Sequence, residues 1–202
     1  MSTEEFTALL LLATAMSFTP GPNTTLSTAL AANHGVRGAL PFLLAVPTGW
    51  TLLMLLCGAG VGSLVLALPP LRWAVKALGV GYLLWLAWRL SGAGALGSVT
   101  APVRVGYGQG VALQFVNIKA WMLALTITAG WIALPGLAWA DSARRLALVL
   151  AVMAAYAFVS NFTYAMVGAL LRGWLSQGQR LLWFNRALAL LLVATALWML
   201  SV

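Results

Sequence analysis

The chain has 202 residues, 62% of them hydrophobic and only 7% charged, with a mean hydropathy of +0.97. Soluble domains carry about 25% charged residues, so the composition excludes a soluble globular protein and points to a single integral membrane domain over residues 1–202. The net charge of +8 comes from eleven Lys and Arg against three acids, but the basic residues stand singly at span ends, which argues for topology and headgroup anchors rather than a nucleic-acid surface.

The first apolar stretch, residues 6–32, is interrupted at its centre by Pro20-Gly21-Pro22-Asn23. A regular helix over it would be about 40 Å long, and one ending at Thr19 only about 20 Å, too short for a hydrocarbon layer of about 30 Å. The break therefore falls inside the membrane. Two prolines remove two backbone donors there, and lipid offers no substitute partners, so such a kink must line a cavity or be covered by protein. The stretch opens with Glu4 and Glu5 and has no basic residue before Arg37, unlike a secretory signal. It is read as a retained span.

Five further spans follow at residues 39–68, 73–90, 111–134, 146–171 and 181–200, giving an all-α protein of six transmembrane helices. They are punctuated by Asn33-His34-Gly35, Pro69-Pro70, the small-residue run 91–98, Pro135-Gly136 and the segment 172–180. Pro41 and Pro47 predict a kink in the second span. The connections after spans one, three and five hold Arg37, Arg89, Arg104, Arg172, Arg180 and Arg186. The other side holds Arg72, Lys76, Arg144, Arg145 and all the acids. Six basic residues against four place both termini outside. Residues 1–98 and 103–202 each contain three spans, so two inverted repeats are compatible with the pattern.

A helix broken at mid-membrane exposes two opposed half-helix ends. The amide end after Pro22, with Asn23, Thr24 and Thr25, suits a carboxylate; the carbonyl end at Ser17 to Thr19, before Pro20 and Gly21, suits an ammonium. Together they match a zwitterionic amino acid, against the simpler reading of a kink needed only for packing. In the fourth span Gln114, Asn117 and Lys119 supply the polar groups. Lys119 is the one formal charge well inside a span, and either serves the site or snorkels to the headgroups. Asn117 and Lys119 differ by about 200° on a regular helix, so both reach one cavity only if the helix is distorted.

Tyr156, Ser160, Tyr164 and Gly168 share one face of the fifth span, with Asn161 beside them. The tyrosines are candidates for cation–π contact with a substrate ammonium or for interhelical hydrogen bonds. His34 is the sole histidine and Cys57 the sole cysteine. Neither metal cluster, disulfide nor nucleophile–base pair can be assembled from them within one chain, so no catalytic residue, metal or cofactor is expected.

Three segments in order resemble the LysE/RhtB family of bacterial amino-acid exporters over essentially the whole chain. Ser17-Phe18-Thr19-Pro20-Gly21-Pro22-Asn23 is similar to its Pro-Gly-Pro-Asn signature and is followed by the turn Asn33-His34-Gly35-Val36-Arg37-Gly38-Ala39. Lys76-Ala77-Leu78-Gly79-Val80-Gly81-Tyr82 resembles its third-helix pattern, and Gln114-Phe115-Val116-Asn117-Ile118-Lys119-Ala120 its Asn-Pro-Lys-Ala segment. The resemblance implies a six-helix exporter of small amino acids or related metabolites, driven by the proton gradient across the bacterial cytoplasmic membrane. Its implied partners are a small-molecule substrate, protons and membrane lipids, with a homo-oligomer also compatible. Ile118 stands where the family usually has proline, which leaves open whether the fourth helix breaks. The last helix, from Asn185-Arg186-Ala187, lacks the glycine commonly found shortly after that arginine. The competing reading is a non-transporting membrane assembly or accessory subunit, whose kink would be sealed by side chains.

Overall fold

The computed structural model describes residues 1–62, 67–93 and 103–201. The described residues form α1 (Thr3–Phe18), α2 (Pro22–Gly58), α3 (Pro69–Ser91), α4 (Tyr107–Val116), α5 (Ile118–Ile127) with a π-helical turn (Thr128–Ile132), α6 (Trp139–Leu175) and α7 (Arg180–Ser201), and no strand. The helix of the expected second span ends at Gly58, short of the expected residue 68, with Gly60 at φ 87°; residues 63–66 of that span and 94–98 of the 91–98 connection lie outside the described residues. Three helices, α2, α6 and α7, are individually long and apolar enough to cross a membrane, and the α4–α5 pair is a fourth if taken as one bent span. The chain is thus an all-helical, multi-pass membrane protein.

The chain breaks where its backbone chemistry requires it. α1 starts with a reciprocal cap, Glu5 N–H donating to Ser2 Oγ at 3.1 Å and Ser2 N–H to Glu5 Oε2 at 2.7 Å. It ends because Thr19 precedes proline and is held extended (φ −70°, ψ 129°). Gly21 is extended as well, and Pro22 then opens α2 at the first helical position, where a missing N–H costs nothing.

The Asn33-His34-Gly35 punctuation is a one-residue kink inside α2 rather than a loop. Gly35 has φ 74° and ψ 171°, a conformation that a side chain would strain. The kink divides α2 into arms 22–34 and 36–58. Pro41 and Pro47 lie inside the second arm, where the backbone stays helical through both of them. His34 Nε2, by donating to the Val103 carbonyl at 2.9 Å, ties the kink to the start of the second half of the chain.

The helices pack through small residues, the expected device where lipid removes any hydrophobic gain from association. α2 and α6 form the most extensive contact. There, a Cβ added to Gly168 would lie 2.3 Å from the Thr28 carbonyl oxygen. Gly49 and Gly110 play the same part between α2 and α4. α3 packs chiefly on α7.

The interior is divided into two apolar clusters. One contains Leu26, Leu30, Phe42, Leu43, Leu113 and Ala165; the other contains Leu9, Ala13, Trp50, Leu53, Ala120, Ala124 and Met153. The chain passes from one cluster to the other between residues 13 and 26, 46 and 50, 113 and 120, and 153 and 165, whereas the buried residues of α3 and α7 that belong to a cluster are all in the first. The breaks at Pro20 and Asn117 lie on this boundary. Residues from both interruptions border one cavity.

Candidate functional site

The fourth helix is broken, and more sharply than the loss of the family proline suggests. Asn117 is extended (φ −91°, ψ 101°), and α5 with its π turn is bent 68° from α4. Two contacts hold the bend in the absence of a proline. The Trp121 indole N–H donates to the Phe115 carbonyl at 2.8 Å, satisfying one acceptor left over at the end of α4. The neighbouring Val116 carbonyl lies against Gly79 of α3, 2.0 Å from where a Cβ would be. This bend resolves the facing problem: Asn117 and Lys119 line the same cavity.

That cavity has a volume of about 70 Å³ and is bordered by both breaks. Room for one water takes about 10–15 Å³ on this measure, so the space holds several waters or one small solute. Of the residues expected at a site, Thr19, Gly21, Pro22, Asn23, Thr24, Asn117 and Lys119 line it. Lys119 is the only formally charged residue among those lining it.

The remaining expected residues lie around the cavity without lining it. Gln114 is fully buried behind it and forms a reciprocal amide pair with Asn23, Asn23 Nδ2 donating to Gln114 Oε1 at 2.8 Å and Gln114 Nε2 to Asn23 Oδ1 at 3.1 Å. Pro20 faces a second hollow, described below. Tyr164 donates its hydroxyl to the Phe18 carbonyl at 2.9 Å, and Tyr156 Oη accepts from Thr14 Oγ1 at 3.1 Å. The two tyrosines thus bind α6 to α1, and neither ring borders the cavity.

The two helix ends differ in how far they are satisfied. At the carbonyl end of α1, Lys119 Nζ donates to Thr19 O at 3.0 Å and Tyr164 to Phe18 O. The ammonium role expected for a ligand at this end is filled by the protein's own lysine. At the opposite end, the Gly21 N–H donates to Thr24 Oγ1 at 3.0 Å, while first-turn amides of a helix have no intrahelical acceptor. Among the described residues, Asn117 Oδ1 and Tyr82 Oη are buried side-chain atoms without a hydrogen-bond partner, and only Asn117 borders the cavity. A buried acceptor of this kind costs about 1–3 kcal/mol unless something in the cavity donates to it.

Several lining residues carried no sequence signal. Met16, Trp50, Leu123 and Met153 form apolar walls, and only their place beside the two breaks distinguishes them from other core residues. Ser160 and Asn161 also line it, as the polar face of the fifth span hinted. Asn161 is already engaged, accepting from Ser27 Oγ at 2.9 Å and donating to Ala157 O at 2.8 Å.

A second hollow of about 360 Å³ lies on the α7 side, against Leu191, Ala194, Thr195 and Trp198. It shares Met16, Thr19, Gly21 and Lys119 with the central cavity. The Lys119–Thr19 hydrogen bond therefore stands at the partition between the two spaces.

Comparison with known proteins identifies the family. The family model described as LysE type translocator matches residues 14–201. A cysteine/O-acetylserine efflux protein of Salmonella paratyphi A is 32% identical over 181 residues, covering 89% of each chain. Proteins of the same description from Escherichia coli K12 and Klebsiella pneumoniae are 31% and 30% identical, covering 89% of each chain and 85% of this chain with 86% of the relative, respectively. No solved structure gives a significant match. With nearly its whole length matched, the chain belongs to the LysE type translocator family.

Proposed function

We propose that this translocator exports small neutral amino acids or close metabolites across the bacterial cytoplasmic membrane, driven by the proton gradient. In this reading α1 with residues 22–34 makes one broken span, residues 36–58 the second, α3 the third, α4 with α5 the fourth, and α6 and α7 the last two. The halves 1–98 and 103–202 then run in opposite senses, each opening with an interrupted helix. The positive side of the chain, carrying Arg37, Arg89, Arg104, Arg172, Arg180 and Arg186, faces the cytoplasm.

The observation that carries the reading is Asn117 Oδ1, a buried acceptor with no partner, on a cavity where two helix breaks meet. A substrate ammonium donates to it. The substrate carboxylate takes the amide end of α2 and competes with Thr19 O for Lys119 Nζ. Proton movement then has a carrier in Lys119, in cavity water or in the substrate itself, since no carboxylate borders the cavity. Absence of such a counter-charge also disfavours a dibasic substrate. The named relatives export cysteine and O-acetylserine, both small zwitterions with uncharged side chains that fit this pattern. An accessory subunit without transport would have its kink packed shut, and the open cavity speaks against it.

The test is counterflow in proteoliposomes with labelled cysteine, O-acetylserine and a panel of other small amino acids. Saturable exchange of a neutral amino acid is expected, and its absence across the panel rejects the transport reading. Collapsing the pH gradient at a fixed solute gradient is expected to slow net flux. An unchanged rate removes the proton from the scheme while leaving transport standing.

A further inference from the structure

We propose that the groove between the last two turns of α3 and the first half of α7 is a binding site for a phospholipid with an anionic headgroup. It has a volume of about 590 Å³. Leu84 and Ala87 of α3 and Leu190 and Val193 of α7 form its apolar walls, and Trp183 and Arg186 mark its polar end. From Trp183 to Val193 is about ten residues, or roughly 15 Å of helix. That matches one leaflet of a hydrocarbon core about 30 Å thick. One acyl chain fills such a groove along its length.

The polar end has the chemistry of an anion site. Trp183 is 61% exposed and Trp88, also in the groove, 68%, as expected of indoles at headgroup level. The Arg186 guanidinium stacks on Trp183, its Cζ 4.9 Å from the ring centroid. It has no hydrogen-bond or ion-pair partner among the described residues, which leaves its N–H edge for a phosphate. Arg180, stacked on Trp174 at 4.7 Å, lies in an adjoining hollow that shares Trp183.

Counter-charge from the protein is lacking at this end. The chain has only three acids. Glu4 and Glu5 begin α1 and Asp141 begins α6, where Glu5 pairs with Arg145 at 3.1 Å. α6 has 37 residues, so its far end, which leads into Arg180, is roughly 55 Å away. A second copy of the chain docked by the same face would bring more arginine to arginine. An anionic lipid answers both the charge and the shape.

The test is native mass spectrometry of the purified chain in micelles containing equal amounts of phosphatidylglycerol and phosphatidylcholine with identical acyl chains. The wild type is expected to retain phosphatidylglycerol preferentially, by about fivefold for each arginine engaged. Arg186→Gln is expected to reduce that preference about fivefold. Leu190→Trp, at an exposed position inside the groove, is expected to expel the lipid with every arginine intact. Equal retention of both lipids by the wild type overturns the proposal. So does a preference undiminished by filling the groove with Leu190→Trp, which remains informative should Arg186→Gln not fold. None of these outcomes depends on what the central cavity transports.

Discussion

Lys119 reaches from the start of α5 to the residue that caps the C-terminal end of α1, its Nζ 3.0 Å from the Thr19 carbonyl oxygen. One broken helix thereby caps the other, with an ammonium at the negative end of the α1 dipole. The bond also separates the central cavity from the hollow beside α7, so its strength bears on both folding and passage.

Lys119→Met is expected to lower the thermal midpoint by the loss of one charge-assisted hydrogen bond, about 1.5 kcal/mol because Thr19 is exposed. It is expected to reduce counterflow at least about tenfold, the scale on which ~1.4 kcal/mol acts, and to flatten the dependence of the remaining flux on pH. A full rate with an unchanged pH profile would reduce this lysine to a structural cap.

The break at Asn117 depends on α3 coming close enough to hold Val116 in place. Gly79→Ala puts a Cβ 2.0 Å from the Val116 oxygen, so α3 must shift, at a cost of about 1–3 kcal/mol. Gly81, two residues on in the same helix, has nothing within 4 Å of its Cβ position. Gly81→Ala is therefore expected to be neutral or stabilising by up to about 1 kcal/mol through helix propensity. Thermal midpoints of the two variants in the same detergent check the contrast. Equal losses would mean that Gly79 is chosen for something other than that approach.

The two breaks were not equally legible. Pro20-Gly21-Pro22 announces itself, because proline removes donors wherever it falls, and the first break lies where the residues place it. The second is held by Trp121 reaching back to Phe115 and by Gly79 from another helix, contacts that local pattern does not encode. Asn23 illustrates the same limit. Its type and position suit a ligand-binding amide, but Gln114 takes both ends of that amide. Loss of Asn23 thus strands a buried partner as well as altering the cavity. For Tyr156 and Tyr164, four-residue spacing identified the shared face but not the target, which is α1.

At the opposite end of the bundle, the Glu5 carboxyl is held below its ordinary value of 4.5, first by the Ser2 backbone N–H and then by Arg145. Because the folded value is the lower one, the contribution is complete above the unfolded value and is lost as pH falls through the folded one. The thermal midpoint of the wild type is therefore expected to fall more steeply below pH 4.5 than that of Glu5→Gln, which has no carboxylate to protonate. Parallel curves for the two proteins would show that this carboxyl is uncoupled from folding. The Trp131 indole bond to the Glu5 carbonyl, at 2.8 Å, does not titrate and is expected to survive in both.

Asn117→Leu separates binding from packing more cleanly than any other substitution. The side chains are close in size, and Asn117 Oδ1 makes no hydrogen bond that the change would remove. Replacing a buried, unpartnered acceptor with carbon relieves a desolvation cost of about 1–3 kcal/mol. The empty protein is therefore expected to melt at the same temperature or higher. Under the proposed reading counterflow is expected to disappear, because a substrate ammonium would lose Asn117 Oδ1 as its acceptor. Thermal stabilisation by added substrate, which follows the ratio of its concentration to Kd, is expected to vanish with it. A variant that is both more stable and inactive would identify residue 117 as a group whose stability is given up for binding. One that keeps full exchange would place the ammonium elsewhere in the cavity.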